Sequence, residues 1–204
     1  MTDASTTIPT TPSRGPGLRT TVLSGCGLIA VMIVVLHLMG RPLICTCGTV
    51  KLWHGTVVSS ENSQHITDWY TFTHVTHGFL FYWIGWILSR WLLPLRPVRV
   101  RLLLAIGVEC AWEILENTDF IIERYREATI ALDYYGDSIL NSTSDVVFMS
   151  LGFLIASRVP VLASVVIAFG LELFAAIMIR DNLALNILML VWPVEAIKSW
   201  QGGG

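Results

Sequence analysis

Residues 62–78, NSQHITDWYTFTHVTHG, carry His65, Asp68, His74 and His77 up to and into an apolar run that continues as FLFYWIGWILSRWLL to Leu93. A run of roughly 20 mainly apolar residues is what a helix needs to cross a bilayer. An ionisable side chain inside such a helix is costly to keep there, which marks it first as a functional residue. The pattern recurs twice downstream, in ECAWEILENTDFIIERYR at 109–126 and in YYGDSILNSTSD at 134–145. The three stretches put His65, Asp68, His74, His77, Glu109, Glu113, Glu116, Asn117, Asp137, Asn141 and Asp145 into an otherwise oily chain.

The rest of the chain agrees with that setting. It is 204 residues long, 53% hydrophobic and 14% charged, too apolar for an ordinary water-soluble domain. The expectation is an all-α membrane protein, a bundle of six transmembrane helices in a single domain over 21–200. The helices are placed at 21–39, 69–93, 100–117, 145–157, 161–179 and 183–197, the third running on as an amphipathic extension to Arg126. An ordered outer loop with a short hairpin is expected between the first and second helices. Residues 1–20, rich in Thr, Pro, Ser and Gly, have too few large apolar side chains to offset the entropy of ordering and read as a disordered cytoplasmic tail. The first apolar run is long and ends at MGRP without a small-residue cleavage site, so it reads as a retained membrane helix and not a signal peptide. With the N-terminus inside, eight Lys and Arg face the cytoplasm against five outside, and the loop from Arg90 to Arg101 decides the orientation. The expectation is N-in and C-in, in a bacterial inner membrane, with the lipid bilayer as partner. No basic, aromatic-interleaved patch suggests nucleic acid, and the sequence is silent on oligomeric state.

That orientation brings the polar stretches to one depth, in a pocket facing the periplasm. His74 and His77 are spaced i, i+3; Glu109, Glu113 and Glu116 are i, i+4, i+7; Asn141 and Asp145 are i, i+4. Each set makes one helical face. Polar residues between membrane helices also serve as hydrogen-bonding glue. Three carboxylates in one buried stripe repel one another, however, unless a proton, an arginine or a metal ion compensates them.

Two histidines with carboxylates are ligand types for zinc, manganese or iron. The candidate ligands are His74, His77, Glu109 and Glu113; the motif is neither HExxH nor the Glu-x-x-His of di-iron bundles. His65, Asp68, Glu113, Glu116, Asp137 and Asp145 are candidate catalytic groups, with a metal-bound water or with histidine and glutamate as base and acid. Asn117, Arg124, Arg126, Asn141 and Arg180 are candidate substrate-binding residues, the arginines as a clamp for an anionic head group or as interfacial anchors. Ser138 and Ser142 read as helix caps before nucleophiles. Cys45 and Cys47 read as a redox-labile pair or as free thiols that can take a metal, because a disulfide across one residue is strained. His37 and His77 sit level on neighbouring helices, a spacing that suits haem, for which the glutamate stripe has no use. The leading expectation is metal-assisted hydrolysis or transfer on a lipid or envelope precursor. Non-enzymatic binding, transport or membrane assembly is the competing one.

The runs C-T-C-G-x-x-K-L-W-H-G, N-S-Q-H-x-x-D-W-Y-x-x-x-H-x-x-H-G, E-x-x-W-E-x-x-E-N-T and Y-x-G-D-S-x-x-N-S, from Cys45 to about Gly152, resemble a family of small bacterial inner-membrane proteins known only as an uncharacterised family, a domain of unknown function. The resemblance implies a multi-pass inner-membrane protein and carries over no catalytic residue. G-D-S-x-x-N-x-x-x-D followed by L-G is similar, more distantly, to VanZ-like membrane proteins.

Overall fold

The computed structural model describes residues 15–91, 97–129 and 133–203. The expectation for the first 14 residues of the tail, and for the chain around Pro94 and Arg96, lies outside them. In chain order the described elements are α1 (Leu18–Leu38), β1 (Trp53–His54), β2 (Thr67–Asp68), α2 (Thr71–Trp91), α3 (Val98–Glu116), α4 (Asp119–Ala128), α5 (Ile139–Ala156), α6 (Val161–Ile179), α7 (Leu183–Val191) and α8 (Glu195–Gln201). The chain is mostly helical, as its composition demands.

Three of these helices, α1, α5 and α6, are long and apolar enough to cross a membrane. Only 22% of α1 and 17% of α6 is buried within the protein, so Val31, Val34, Leu162, Phe169 and Ile177 are left facing outward. Apolar surface on that scale is what a lipid neighbour would cover. α2 and α3 match them in length but carry His74 and His77, and Glu109, Glu113 and Glu116.

The sixth expected span is not formed. α7 has nine residues, about 14 Å of helix against the roughly 30 Å of a bilayer core. The chain then breaks at Trp192 and Pro193, and α8 returns to the end of α6. There the Arg180 guanidinium donates to Trp200 O at 2.9 Å, and Gln201 Nε2 donates to Asp181 Oδ1 at 3.2 Å. The C-terminus therefore lies at the end where α6 stops, not at the opposite one. Nor does the third helix run on to Arg126. Asn117 ends α3, and Thr118 starts α4 by accepting a hydrogen bond from Ile121 N. The fourth long helix begins earlier than expected, at Ile139, because Ser138 caps it by accepting from Asn141 N at 3.1 Å.

The ordered loop is present, but its two short strands pair parallel, Trp53 with Thr67 and His54 with Asp68, which excludes a hairpin. It is pinned to the start of α5. Ile139 N donates to Pro42 O, Gln64 Nε2 to Gly136 O at 2.7 Å, Ser138 Oγ to Gln64 O at 3.0 Å, and Asn141 Nδ2 to His65 O at 2.9 Å.

The core lies where α1, α3 and α5 meet, around Met32, Leu36, Ile106, Cys110, Val146, Met149 and Phe153. α2 lies against α5 at backbone contact distance, at Gly78 and Gly152. This contact sets α2 and its histidines against the acidic residues of α3 and α5.

Candidate metal centre

The stripes on α2, α3 and α5 meet. Glu109, fully buried, receives both histidines: His74 Nδ1 lies 2.7 Å from Oε1, and His77 Nδ1 lies 3.1 Å from each carboxylate oxygen. His74 also approaches Glu113 Oε1 through Nδ1 at 3.6 Å and Asp145 Oδ2 through Nε2 at 3.8 Å. Glu113 is 1% exposed, and neither of its oxygens has a hydrogen-bond partner; Asp145 Oδ1 also lacks one. A buried carboxylate with no hydrogen-bond donor carries a desolvation cost that the approach of one imidazole offsets only in part.

Asp137 borders this group and is held from three sides. Its Oδ2 accepts from Asn117 Nδ2 at 2.9 Å, its Oδ1 from Tyr134 OH at 3.0 Å, and its backbone N–H donates to Asn117 Oδ1 at 2.7 Å. Gly136, at φ +95°, makes the turn possible, since a Cβ there would lie 2.6 Å from the Arg41 guanidinium and 2.9 Å from Asn117 Oδ1.

At this site three sets of donor atoms lie within 4.8 Å of one another: His74, His77 and Glu109; His74, Glu113 and Asp145; Glu113, Glu116 and Asp137. A zinc ion at about 2.0–2.1 Å from nitrogen and oxygen needs donors a little over 3 Å apart. The first set, at 2.7 and 3.1 Å, is close to that spacing already. Of the expected ligands, His74, His77 and Glu109 thus form one set, and Glu113 joins His74 in another. Among the described residues, His37 shares no possible ligand group with His77 and is exposed on α1.

A cavity of about 340 Å³ opens onto the group. Its lining is polar at His74, His77, Glu116, Asp137 and Asp145 and apolar at Leu80, Phe81, Ile84, Val108, Ile187 and Leu190. No Lys or Arg is among the described residues that line it. Arg124 instead donates to Leu190 O at 2.8 Å and Arg180 to Trp200 O, while Arg126 is exposed. The first two hold down α7 and α8, so the expected arginine clamp is not assembled at the site.

Two expected catalytic residues also sit elsewhere. Asp68 accepts from Ser63 N at 3.0 Å and Tyr70 N at 2.8 Å, both oxygens spent on shaping the turn before α2; burial raises its pKa all the same. His65, fully buried in the loop, lies 2.9 Å from Glu61 Oε2 and accepts from Lys51 N. Glu61 is held down at about 2 by hydrogen bonds from Lys51 and His65. Cys45 and Cys47 lie beside them, and their sulfurs are bonded to each other, so the pair offers no free thiolate. Asn141 lines the cavity, but its side-chain NH₂ is committed to His65 O.

The sequence reading missed Tyr70, Tyr134 and Asp181, which also line the cavity. Tyr70 OH donates to Asp181 Oδ2 at 3.1 Å. The available signal was the pair Asp181–Asn182 after Arg180, a polar helix end more elaborate than a stop requires; Arg180 sits at φ 55° there. Burial raises Asp181 from 3.8 to about 6. Between those two values the folded chain holds a proton that the unfolded chain has already lost, so stability falls as pH rises through this window and levels off above it. In chelator, Asp181→Asn should flatten the decline in melting temperature between pH 5 and pH 7.5, removing about 1.4 kcal/mol of pH dependence. An unchanged slope would show that Asp181 is ionised throughout.

The family description "Protein of unknown function (DUF2585)" matches residues 36–203. The chain is 60% identical to a UPF0314 protein of Sinorhizobium fredii over 177 residues, 87% of this chain and 88% of that one. It is 59% identical to a UPF0314 protein of Rhizobium meliloti over 182 residues (89% and 90%), and 56% identical to one of Novosphingobium aromaticivorans over 195 residues (95% and 96%). These matches bear out the likeness to an uncharacterised bacterial family and do not show the likeness to VanZ-like proteins. No solved structure matches.

Proposed function

We propose, starting from the premise that the chain belongs to the DUF2585 family of proteins of unknown function, that it is a multi-pass protein of the bacterial inner membrane with a metal-assisted hydrolytic or transfer site for a lipid or envelope precursor. α1, α2, α3, α5 and α6 cross the bilayer, and α4, α7 and α8 close the periplasmic end. With the C-terminus at that end, seven Lys and Arg lie on the cytoplasmic side and six outside, and the Arg90–Arg101 loop still favours a cytoplasmic N-terminus.

The observation that carries the reading is Glu109, reached by two imidazoles, beside a Glu113 whose buried oxygens have no partner. His74, His77 and Glu109 hold a divalent ion, with Glu113 in reserve. Such an ion polarises an ester or phosphate oxygen and makes a bound water acidic enough to attack near neutral pH. Asp145 lies 3.8 Å from His74 Nε2, across the ring from the nitrogen that meets Glu109. Asn117 and Tyr134 fix Asp137 at the cavity wall, and the apolar lining of the cavity takes the tail of the lipid.

The test is elemental analysis of the full chain purified in detergent and loaded with Zn²⁺, Mn²⁺ or Fe²⁺. At least one ion per chain should be retained, and His74→Ala should lose it while its helix content is unchanged. No ion retained by the native chain would end this reading.

A further inference from the structure

The single ion leaves a charge imbalance. Glu109, Glu113, Glu116, Asp137 and Asp145 form one connected set, because Glu113 is shared between two of the three ligand groups and His74 between two. Among the described residues none of the five is paired with Lys or Arg, and neither residue type lines the cavity. One divalent ion compensates two of five carboxylates; two ions compensate four. Uncompensated charge away from water is costly, and what one ion leaves must be met by protons or by a second ion.

Glu113 shows where the second ion goes. It is 1% exposed, both its oxygens lack partners, and it belongs at once to the group with His74 and Asp145 and to the group with Glu116 and Asp137. A carboxylate with two free oxygens between two ligand sets is the shape of a bridge. We propose that Glu113 bridges two divalent ions, the first at His74 and Asp145 and the second at Glu116 and Asp137, and that the pair acts on a phosphate ester carried by a lipid. This rests on the metal-assisted reading above and extends it to a substrate class. Two ions flanking one carboxylate meet two oxygens of a tetrahedral phosphorus and stabilise both the attacking and the departing oxygen. With no Lys or Arg among the described residues that line the cavity, the ions would supply the counter-charge for a phosphate there. The step is a hydrolysis: water adds to phosphorus, the bond from phosphorus to the alcohol oxygen breaks, and one proton of the water ends on the departing alcohol. Nothing is oxidised or reduced.

The experiment uses the full chain in detergent, stripped by chelator, reloaded with Mn²⁺ alone, and supplied with dioctanoyl phosphatidic acid. The native chain should hold two ions, and Asp137→Asn and Glu116→Gln one each, with phosphate release slowed by at least about 10-fold in both. One ion in the native chain overturns the second position and leaves the first intact; none overturns both. Two ions with octanoate released in place of phosphate, or with neither released, overturns the phosphate-ester assignment. The native count decides the question even where a variant fails to fold.

Discussion

Gly78→Ala should yield no stably folded protein, and Gly152→Ala should do the same. A Cβ on Gly78 would lie 2.1 Å from Met149 O and 2.5 Å from Phe153 N; one on Gly152 would lie 2.2 Å from Val75 O. All three are backbone atoms, so no side chain can swing aside, and the two helices must part. Small residues at such a crossing are what let two helix backbones touch. Separating them opens the packing of Phe79 against Ala156 and Ala168, and of Tyr82 against Phe153. It also pulls His74 away from Asp145. Overpacking a close contact costs about 1–3 kcal/mol where neighbours can adjust, and here they cannot, so the loss should exceed about 4 kcal/mol. Gly27→Ala and Gly170→Ala, whose Cβ atoms would meet nothing within 4 Å, are the controls and should be neutral or stabilising by up to about 1 kcal/mol. Thermal unfolding and size-exclusion profiles read the difference. A Gly78→Ala chain that melts with the native one would mean that this close crossing does not exist in solution.

The same two glycines mark where sequence reasoning stops. In HVTHGFL and SLGFL each reads only as a small penalty in a helix; that each exists for the other, 74 residues away, is a non-local fact no window contains. What was legible depended on local period. The i, i+3 histidines and the i, i+4 glutamates on one face, and the outward apolar surface of α1 and α6, follow from 3.6 residues per turn and from burial cost. The break at Asn117–Thr118 was legible too, since Thr118 followed by Asp119 is a helix start, but the amphipathic pattern of residues 119–128 hid it by continuing the polar face of α3. The return of α8 to Arg180 was not legible. Eight apolar residues and one Asn in α7 look like the beginning of a span until the hydrogen bonds from Arg180 and Gln201 show which end the chain comes back to. The arginines misled for a related reason. A guanidinium near a polar site suggests an anion, yet the carbonyls exposed where α7 and α8 end satisfy Arg124 and Arg180 first.

Glu109→Gln separates a metal ligand from a structural tie, and the difference between two conditions is the informative part. If Glu109 served only to bond His74 and His77, the amide would lose one of the two contacts and the protein would be less stable by the same amount with or without metal. If it holds an ion, the loss should be much larger with metal. In chelator the amide keeps the shape of the fully buried carboxylate but gives up one imidazole contact, so the melting temperature should fall modestly. With excess Zn²⁺ the native chain should gain stability by mass action, about 2.7 kcal/mol for free metal at 100 times the dissociation constant. The variant should forfeit most of that gain, because an amide oxygen is a far weaker ligand than a carboxylate and affinity should fall by about 100-fold or more. Melting curves of both proteins, each with chelator and with Zn²⁺, give the four numbers required. Equal destabilisation in both conditions would assign Glu109 to packing alone and leave the two histidines without the ion that explains their convergence.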